Sequence, residues 1–138
     1  GMADPHALTL AMAAQQAVHF IGVPEGELAL AHAVVYLATA PKSNAIYTAY
    51  GKAREDAERT SDEPIPLHLR NAPTRLMKEM GHGKGYKYAH DYDGAMVNQE
   101  HLPESIRDRQ YYEPTDRGRE QKIGDWLKQV REMRKSGG

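Results

Sequence analysis

The sequence predicts an all-α fold, a helical bundle or array of about five helices with a looser, loop-rich second half. Three observations carry this. Apolar residues recur at helical spacing through the first 59 residues. Helix start and stop residues separate those stripes, and the connections between them are short, as in antiparallel helical neighbours. A last amphipathic stretch closes the chain.

Asp4-Pro5 opens the first helix as an N-cap acid followed by proline. Leu10, Ala14, Ala17 and Ile21 form its stripe, with Leu8 and Met12 beside it, and Gly22 ends it. The second helix begins around Pro24, with Glu25 and Glu27 in a first turn whose dipole favours acids. Leu28, Leu30, Ala33, Val34, Val35 and Leu37 make it apolar nearly all round, the pattern of a central buried helix. Pro41 breaks it, and Ser43 or Asn44 caps the third. There Ile46, Ala49, Tyr50, Ala53 and Ala57 form the predicted buried face. Lys52 with Asp56, Arg54 with Glu58, and Glu55 with Arg59 are i,i+4 pairs of opposite charge.

Residues 65–91 are the least generic part of the chain. Pro64 and Pro66 hold the approach extended. Asn71 reads as an N-cap with Pro73 in the first turn, and Leu76, Met77 and Met80 follow at helical spacing up to Gly81. Gly-His-Gly-Lys-Gly then leads into the alternating Tyr86-Lys87-Tyr88-Ala89-His90. The stretch from Asp91 to His101 has no period and reads as loop, and Pro103 to Ile106 as one helical turn. Tyr111 and Tyr112 are expected to pair with Tyr86 to Tyr88 as one small β-ribbon. A last helix from about Gly118 to Lys135 lines up Ile123, Trp126, Leu127 and Val130. The loops need tying down by the tyrosines or by a partner chain, since long structureless loops are uncommon in compact domains.

Composition bounds the function. The 138 residues suffice for one domain, taken as 4–138, with Gly1 and Met2 set aside as a tag remnant. Hydrophobic residues at 40% and charged residues at 27% are ordinary for a globular chain. A net charge of −1 gives no whole-molecule field toward nucleic acid, so any basic surface is local. The absence of cysteine excludes disulfides and thiolate metal sites. The longest apolar run is too short for a membrane span, and no signal peptide is expected.

Enzymatic signals are weak. Gly81, Gly83 and Gly85 surround Lys84, but a P-loop needs Ser or Thr after the lysine, where Gly85 stands. These glycines read as a turn needing positive φ. His82, His90 and Asp91 are capable ligands whose spacing matches no zinc pattern. Catalytic, cofactor-binding and metal residues are therefore none. His32, Tyr36 and Thr39 share one edge of the second helix, where they either satisfy one another or line a subunit interface. Arg70, Arg75, Lys78, Lys84 and Lys87 with Tyr86 and Tyr88 combine phosphate partners with stacking faces, as single-strand binders do. The last helix adds Arg117, Arg119, Lys122, Lys128, Arg131, Arg134 and Lys135. The plainer reading of each cation is a solvated face paired with nearby acids.

Residues 65–91, together with Tyr36-Leu37-Ala38-Thr39-Ala40-Pro41-Lys42-Ser43-Asn44-Ala45 and Tyr111-Tyr112-Glu113-Pro114-Thr115-Asp116-Arg117-Gly118, resemble the C-terminal domain of the replication-associated recombination protein A family. These are clamp-loader-related AAA+ ATPases of genome maintenance, with a eukaryotic branch known as Werner-helicase-interacting protein. The resemblance implies homotetramer assembly, with His32, Tyr36, Leu76 and Met77 as candidate interface residues. It also implies contact with DNA and single-strand-binding protein, for which Arg70, Arg75, Lys78, Lys84, Lys87, Tyr86, Tyr88 and Arg117 are the candidates. ATP and magnesium are expected only for the AAA+ module, which these residues do not include. The implied location is cytoplasmic and nucleoid-associated, away from membranes.

Overall fold

The structure, a computed structural model, describes residues 1–92, 94 and 97–136, with side chains to 134. It is all-α, with no strand among the described residues. The five α-helices are α1 (His6–Ile21), α2 (Glu27–Thr39), α3 (Ala45–Arg59), α4 (Arg75–Glu79) and α5 (Arg119–Ser136). Single 3-10 turns lie at Leu67–Leu69, Ala89–Asp91 and Glu104–Ile106. The expected loop from Asp91 to His101 is irregular where it is described, and residues 93, 95 and 96 lie outside the described set.

The chain divides into two compact units, Gly1–Tyr50 with Tyr112–Leu127, and Gly51–Tyr111 with Lys128–Gly138. In the first, α1 and α2 pack on each other. The Asp4 carboxylate accepts the His6 N–H at 3.1 Å, as the sequence implies for a cap, and the Tyr36 hydroxyl donates to its other oxygen at 2.7 Å. Gly22 ends α1 at φ 81. Helix α2 starts at Glu27, which leaves Glu25 outside it. Ser43 Oγ accepts the Ala45 N–H at 3.1 Å and caps α3.

Packing corrects the expected burial. On α2 only Ala33 is buried; Ala29, Tyr36 and Ala40 flank it as a half-buried stripe. Leu28 is 80% exposed and Val35 64%, so the central buried helix that the sequence predicts is not buried by this chain. The α2 stripe meets α1 through alanines, and one neighbour covers only one side of a helix. On α3, Ile46 and Tyr50 are exposed, and the buried positions are Ala45 and Asp56. Trp126 on α5 is more than half exposed. Small residues take the inside positions here, and the larger apolar ones face outward.

The N-terminal unit closes around Gly118. It sits at φ 53, and a Cβ there would meet Ala3 O and lie 2.7 Å from Pro41 Cγ. Both the left-handed conformation and the close approach demand glycine. Gly118→Ala is expected to lower stability by about 2 kcal/mol, read as a fall in the thermal midpoint of circular dichroism.

In the second unit α4 starts one turn later than predicted. Thr74, not Asn71, is its N-cap and accepts the Met77 N–H at 3.3 Å. Proline disfavours the α conformation in the residue before it, so Ala72 could not be helical ahead of Pro73. Gly81, Gly83 and Gly85 all have positive φ, as a turn requires. The β-ribbon is absent: backbone at Lys87 is held instead by the buried Gln99 side chain, whose Oε1 accepts the Lys87 N–H at 2.6 Å. His68 Nε2 lies 2.6 Å from Glu100 O, and Gly83 N donates to Leu67 O at 2.9 Å. Two side-chain to backbone bonds and one backbone bond therefore fix these loops.

Candidate functional site

Two buried carboxylates organise the two units. In the first, Glu120 is 0% exposed in the first turn of α5. Its Oε2 accepts from Ser43 Oγ (2.8 Å), Thr115 N (2.9 Å) and Thr115 Oγ1 (2.6 Å), and Oε1 accepts from the Tyr112 hydroxyl (3.1 Å). Burial alone would raise the pKa of Glu120; the hydrogen bonds from Thr115, Ser43 and Tyr112 outweigh it and hold it at about 2. Burial and the same carboxylate push the Tyr112 phenol up to about 12. Two of the blocks that carry the family resemblance, around Ser43 and around Tyr112, thus meet at one acid.

In the second unit Asp56 is 5% exposed on α3. It accepts from Arg59, from Arg109 Nε at 3.1 Å and from the Tyr111 hydroxyl at 3.1 Å. The Arg59 hydrogen bond, opposed by burial and helped by Tyr111 and Arg109, lowers the Asp56 pKa. The predicted i,i+4 pair of Arg54 with Glu58 forms at 2.8 Å, with both side chains exposed, and contributes a few tenths of a kcal/mol at most.

The predicted contact residues separate by role. Arg70 turns its Nε back onto Ile65 O at 2.6 Å, and Arg75 pairs with Glu79 at 2.8 Å. Lys87 Nζ reaches Asn98 O at 3.3 Å. Lys78 and Lys84 are exposed, and Tyr86 and Tyr88 are half-exposed, the latter tilted against the His90 ring at 5.1 Å. Arg117 lies in the other unit and donates to Lys42 O at 3.2 Å. The ring Nε2 of His82 is shielded without a hydrogen-bond partner among the described residues, while Nδ1 lies 3.4 Å from Asn71 O. Among those residues no three or more His, Asp or Glu side chains are grouped to hold a metal ion.

Of the four candidate interface residues, His32 is exposed and shares a stripe with Leu28 and Val35, at helical spacing. Leu76 is exposed and Met77 half-buried on α4. Tyr36 faces inward, bonded to Asp4 and edge-on to His6 at 5.8 Å. The structural importance of Glu120 and Asp56 was not legible, because acids on helices read first as dipole or ion-pair partners. Arg107 and Arg109 carry no local signal beyond an Arg-x-Arg spacing.

The described residues thus form an all-α chain in which two buried carboxylates each gather distant residues. The chain belongs to the MgsA AAA+ ATPase C-terminal family, whose model matches residues 1–131. It is 52% identical over 128 residues to the Replication-associated recombination protein A of Escherichia coli, covering 92% of this chain and 29% of that protein. To the protein of the same name from Haemophilus influenzae it is 47% identical over 99% of this chain and 31% of that one. It is also 47% identical over 82% of its length to ATPase WRNIP1 of Dictyostelium discoideum, covering 13% of that protein. The chain thus spans about three tenths of the bacterial relatives' length. Among the described residues no helix is long and apolar enough to cross a membrane.

Proposed function

We propose that this chain is the oligomerisation module, assembling as a homotetramer, of a clamp-loader-related AAA+ ATPase. That ATPase acts in replication-fork maintenance, recombination and repair, in the cytoplasm at the nucleoid. ATP and magnesium belong to its AAA+ module, and this chain is not itself an enzyme.

The observation that carries this reading is α2. It is apolar nearly all round and uses one alanine stripe against α1, while Leu28, Leu30, Val34, Val35 and Leu37 remain exposed on its other sides. A helix of this pattern is ordinarily buried on every side. Covering each such side chain contributes about 1.5–3 kcal/mol. Several of them together offset an association cost of about 4–15 kcal/mol. His32 lies on the stripe of Leu28 and Val35 and keeps its interface role; Tyr36 acts within the chain. The test is light scattering coupled to size exclusion across a concentration series. A tetramer mass is expected, falling to a monomer in Leu28→Asp/Val35→Asp with helicity unchanged. A wild-type monomer at every concentration overturns the reading.

A second reading is favoured by the half-exposed Tyr86 and Tyr88 beside exposed Lys84 and Lys87. It makes this strip a contact for DNA, or for single-strand-binding protein, in the same ATPase. Assembly would multiply such a weak patch by avidity.

A further inference from the structure

Arg107 and Arg109 follow the Glu104–Ile106 turn two residues apart, and Arg131 and Arg134 lie three apart on the last turns of α5. All four line one cleft of about 430 Å³ within the second unit. Clefts that hold small ligands run from about 300 to 1,000 Å³. None of these side chains belongs to α1 or α2, so a role for the cleft is independent of the assembly reading.

Two of the four guanidiniums are held in place. Arg107 Nη1 donates to Glu104 Oε1 at 2.8 Å, and Arg109 Nε donates to Asp56 Oδ2 at 3.1 Å. Each of these bonds engages one nitrogen and leaves further N–H donors on the same planar fork. Arg131 and Arg134 carry no ion pair among the described residues. Their spacing puts them on one face of α5. Cations are favoured at a helix C-terminus. The acids in the lining are Glu100 and Asp108. Glu100 Oε1 is already engaged by the backbone N–H groups of His101 (2.9 Å) and Leu102 (3.1 Å). Glu104 and Asp56 offset Arg107 and Arg109 from just outside the lining, so Arg131 and Arg134 are the cations a ligand would meet without an ion-pair partner among the described residues.

We propose that this cleft binds a phosphate monoester, of the kind carried by a nucleotide or by the 5′ end of a nucleic-acid strand. A phosphomonoester carries about −1.5 to −2 charges near neutral pH, which suits the two guanidiniums of Arg131 and Arg134, with the remaining donors of Arg107 and Arg109 beside them. Guanidinium forks fit its oxygens with paired hydrogen bonds, which a lysine cannot reproduce. A single carboxylate would satisfy only part of the charge. Gln110 and His101 in the same lining offer hydrogen-bond partners for the sugar or base attached to the phosphate. Asp108 opposes the anion and limits affinity.

The experiment is fluorescence anisotropy on the full chain with a short oligothymidylate, 5′-phosphorylated or 5′-hydroxyl, with inorganic phosphate and thymidine monophosphate as competitors. The phosphorylated strand is expected to bind more tightly, and inorganic phosphate to compete for the difference. Arg131→Gln/Arg134→Gln should weaken the phosphorylated strand by about tenfold or more and abolish the preference, with unchanged circular dichroism. Asp108→Asn should tighten it. Lys122→Gln/Lys128→Gln removes the same charge from the same helix and should leave the preference intact, as should Lys84→Gln/Lys87→Gln. If thymidine monophosphate competes as well as the phosphorylated strand, the ligand is a free nucleotide; if it competes poorly, the ligand is the strand end. Equal affinity for the two strands overturns the proposal. So does a preference that survives loss of both arginines, or one lost equally with the two lysines of α5.

Discussion

Glu120→Ala is expected to cost about 3–5 kcal/mol, a large share of the stability of a domain. The carboxylate is fully buried and is the acceptor for Ser43, for Tyr112 and for both donors of Thr115. Each buried donor left without an acceptor costs about 1–3 kcal/mol, against a total stability of about 5–15 kcal/mol for a domain. Glu120→Gln can keep its carbonyl oxygen on Ser43 and Thr115 and donate its N–H₂ to the Tyr112 hydroxyl, which accepts as well as donates, so it should cost less than Glu120→Ala, about 1–2 kcal/mol. Equilibrium denaturation of the three proteins measures both.

The same site fixes a pH dependence. The pKa of Glu120 is about 2 in the fold against an ordinary 4.5, so below 4.5 the unfolded chain takes up a proton that the folded one refuses. Its stabilising contribution is therefore complete above about 4.5 and is lost as pH falls toward 2. Tyr112 works at the other end. Its pKa is about 12 in the fold against 10.0, so the neutral phenol stabilises the fold below 10 and that contribution is lost as pH rises through 12. Glu120→Gln should flatten the acid limb between pH 4.5 and 2. An acid limb of unchanged slope would place the linkage on other carboxylates.

The sequence made the helices legible because their signals are local. Asp4, Gly22, Pro41 and Ser43 each bound a helix by a rule that involves only a few neighbours. Asn71 reads as the cap by residue type, but the restriction that Pro73 places on Ala72 moves the helix start to Thr74. Burial was less legible, since it depends on partners. An apolar-all-round α2 announces that something covers it, without saying whether that is this chain; among the described residues α1 is the helix that packs on it. The acids illustrate the same limit. Glu120 in a helix's first turn and Asp56 among i,i+4 cations both satisfy local patterns, yet each is fixed by residues far along the chain. The alternation around Tyr86 and Tyr88 suggests a ribbon with Tyr111 and Tyr112 as its second strand. Instead, the hydroxyls of Tyr111 and Tyr112 terminate on those two carboxylates. Of the candidate contact residues, the sequence could name cations but not those whose donors turn back on the chain, as Arg70 does on Ile65.

Asp56→Ala should destabilise the second unit by about 2–4 kcal/mol, somewhat less than the loss at Glu120. The carboxylate is buried, but Arg59 and Arg109 are each more than half exposed, so water can re-solvate both guanidiniums once their partner is gone. Breaking a fully buried ion pair costs about 3–5 kcal/mol, and that exposure sets a lower value here. The Tyr111 hydroxyl loses its acceptor as well. Because the folded pKa of Asp56 is lowered, its contribution stands above the ordinary carboxylate range and is lost as pH falls through the folded value. Hydrogen exchange separates this effect from that of Glu120. Asp56→Ala should raise exchange first in residues 51–60 and 107–111, and Glu120→Ala in residues 43–49 and 112–124. The double variant Asp56→Ala/Arg109→Gln gives the sharper reading. If Arg109 matters only as the partner of Asp56, the double variant should be no less stable than Asp56→Ala alone. A further loss on removing Arg109 would mean that its remaining donors stabilise the fold by another route.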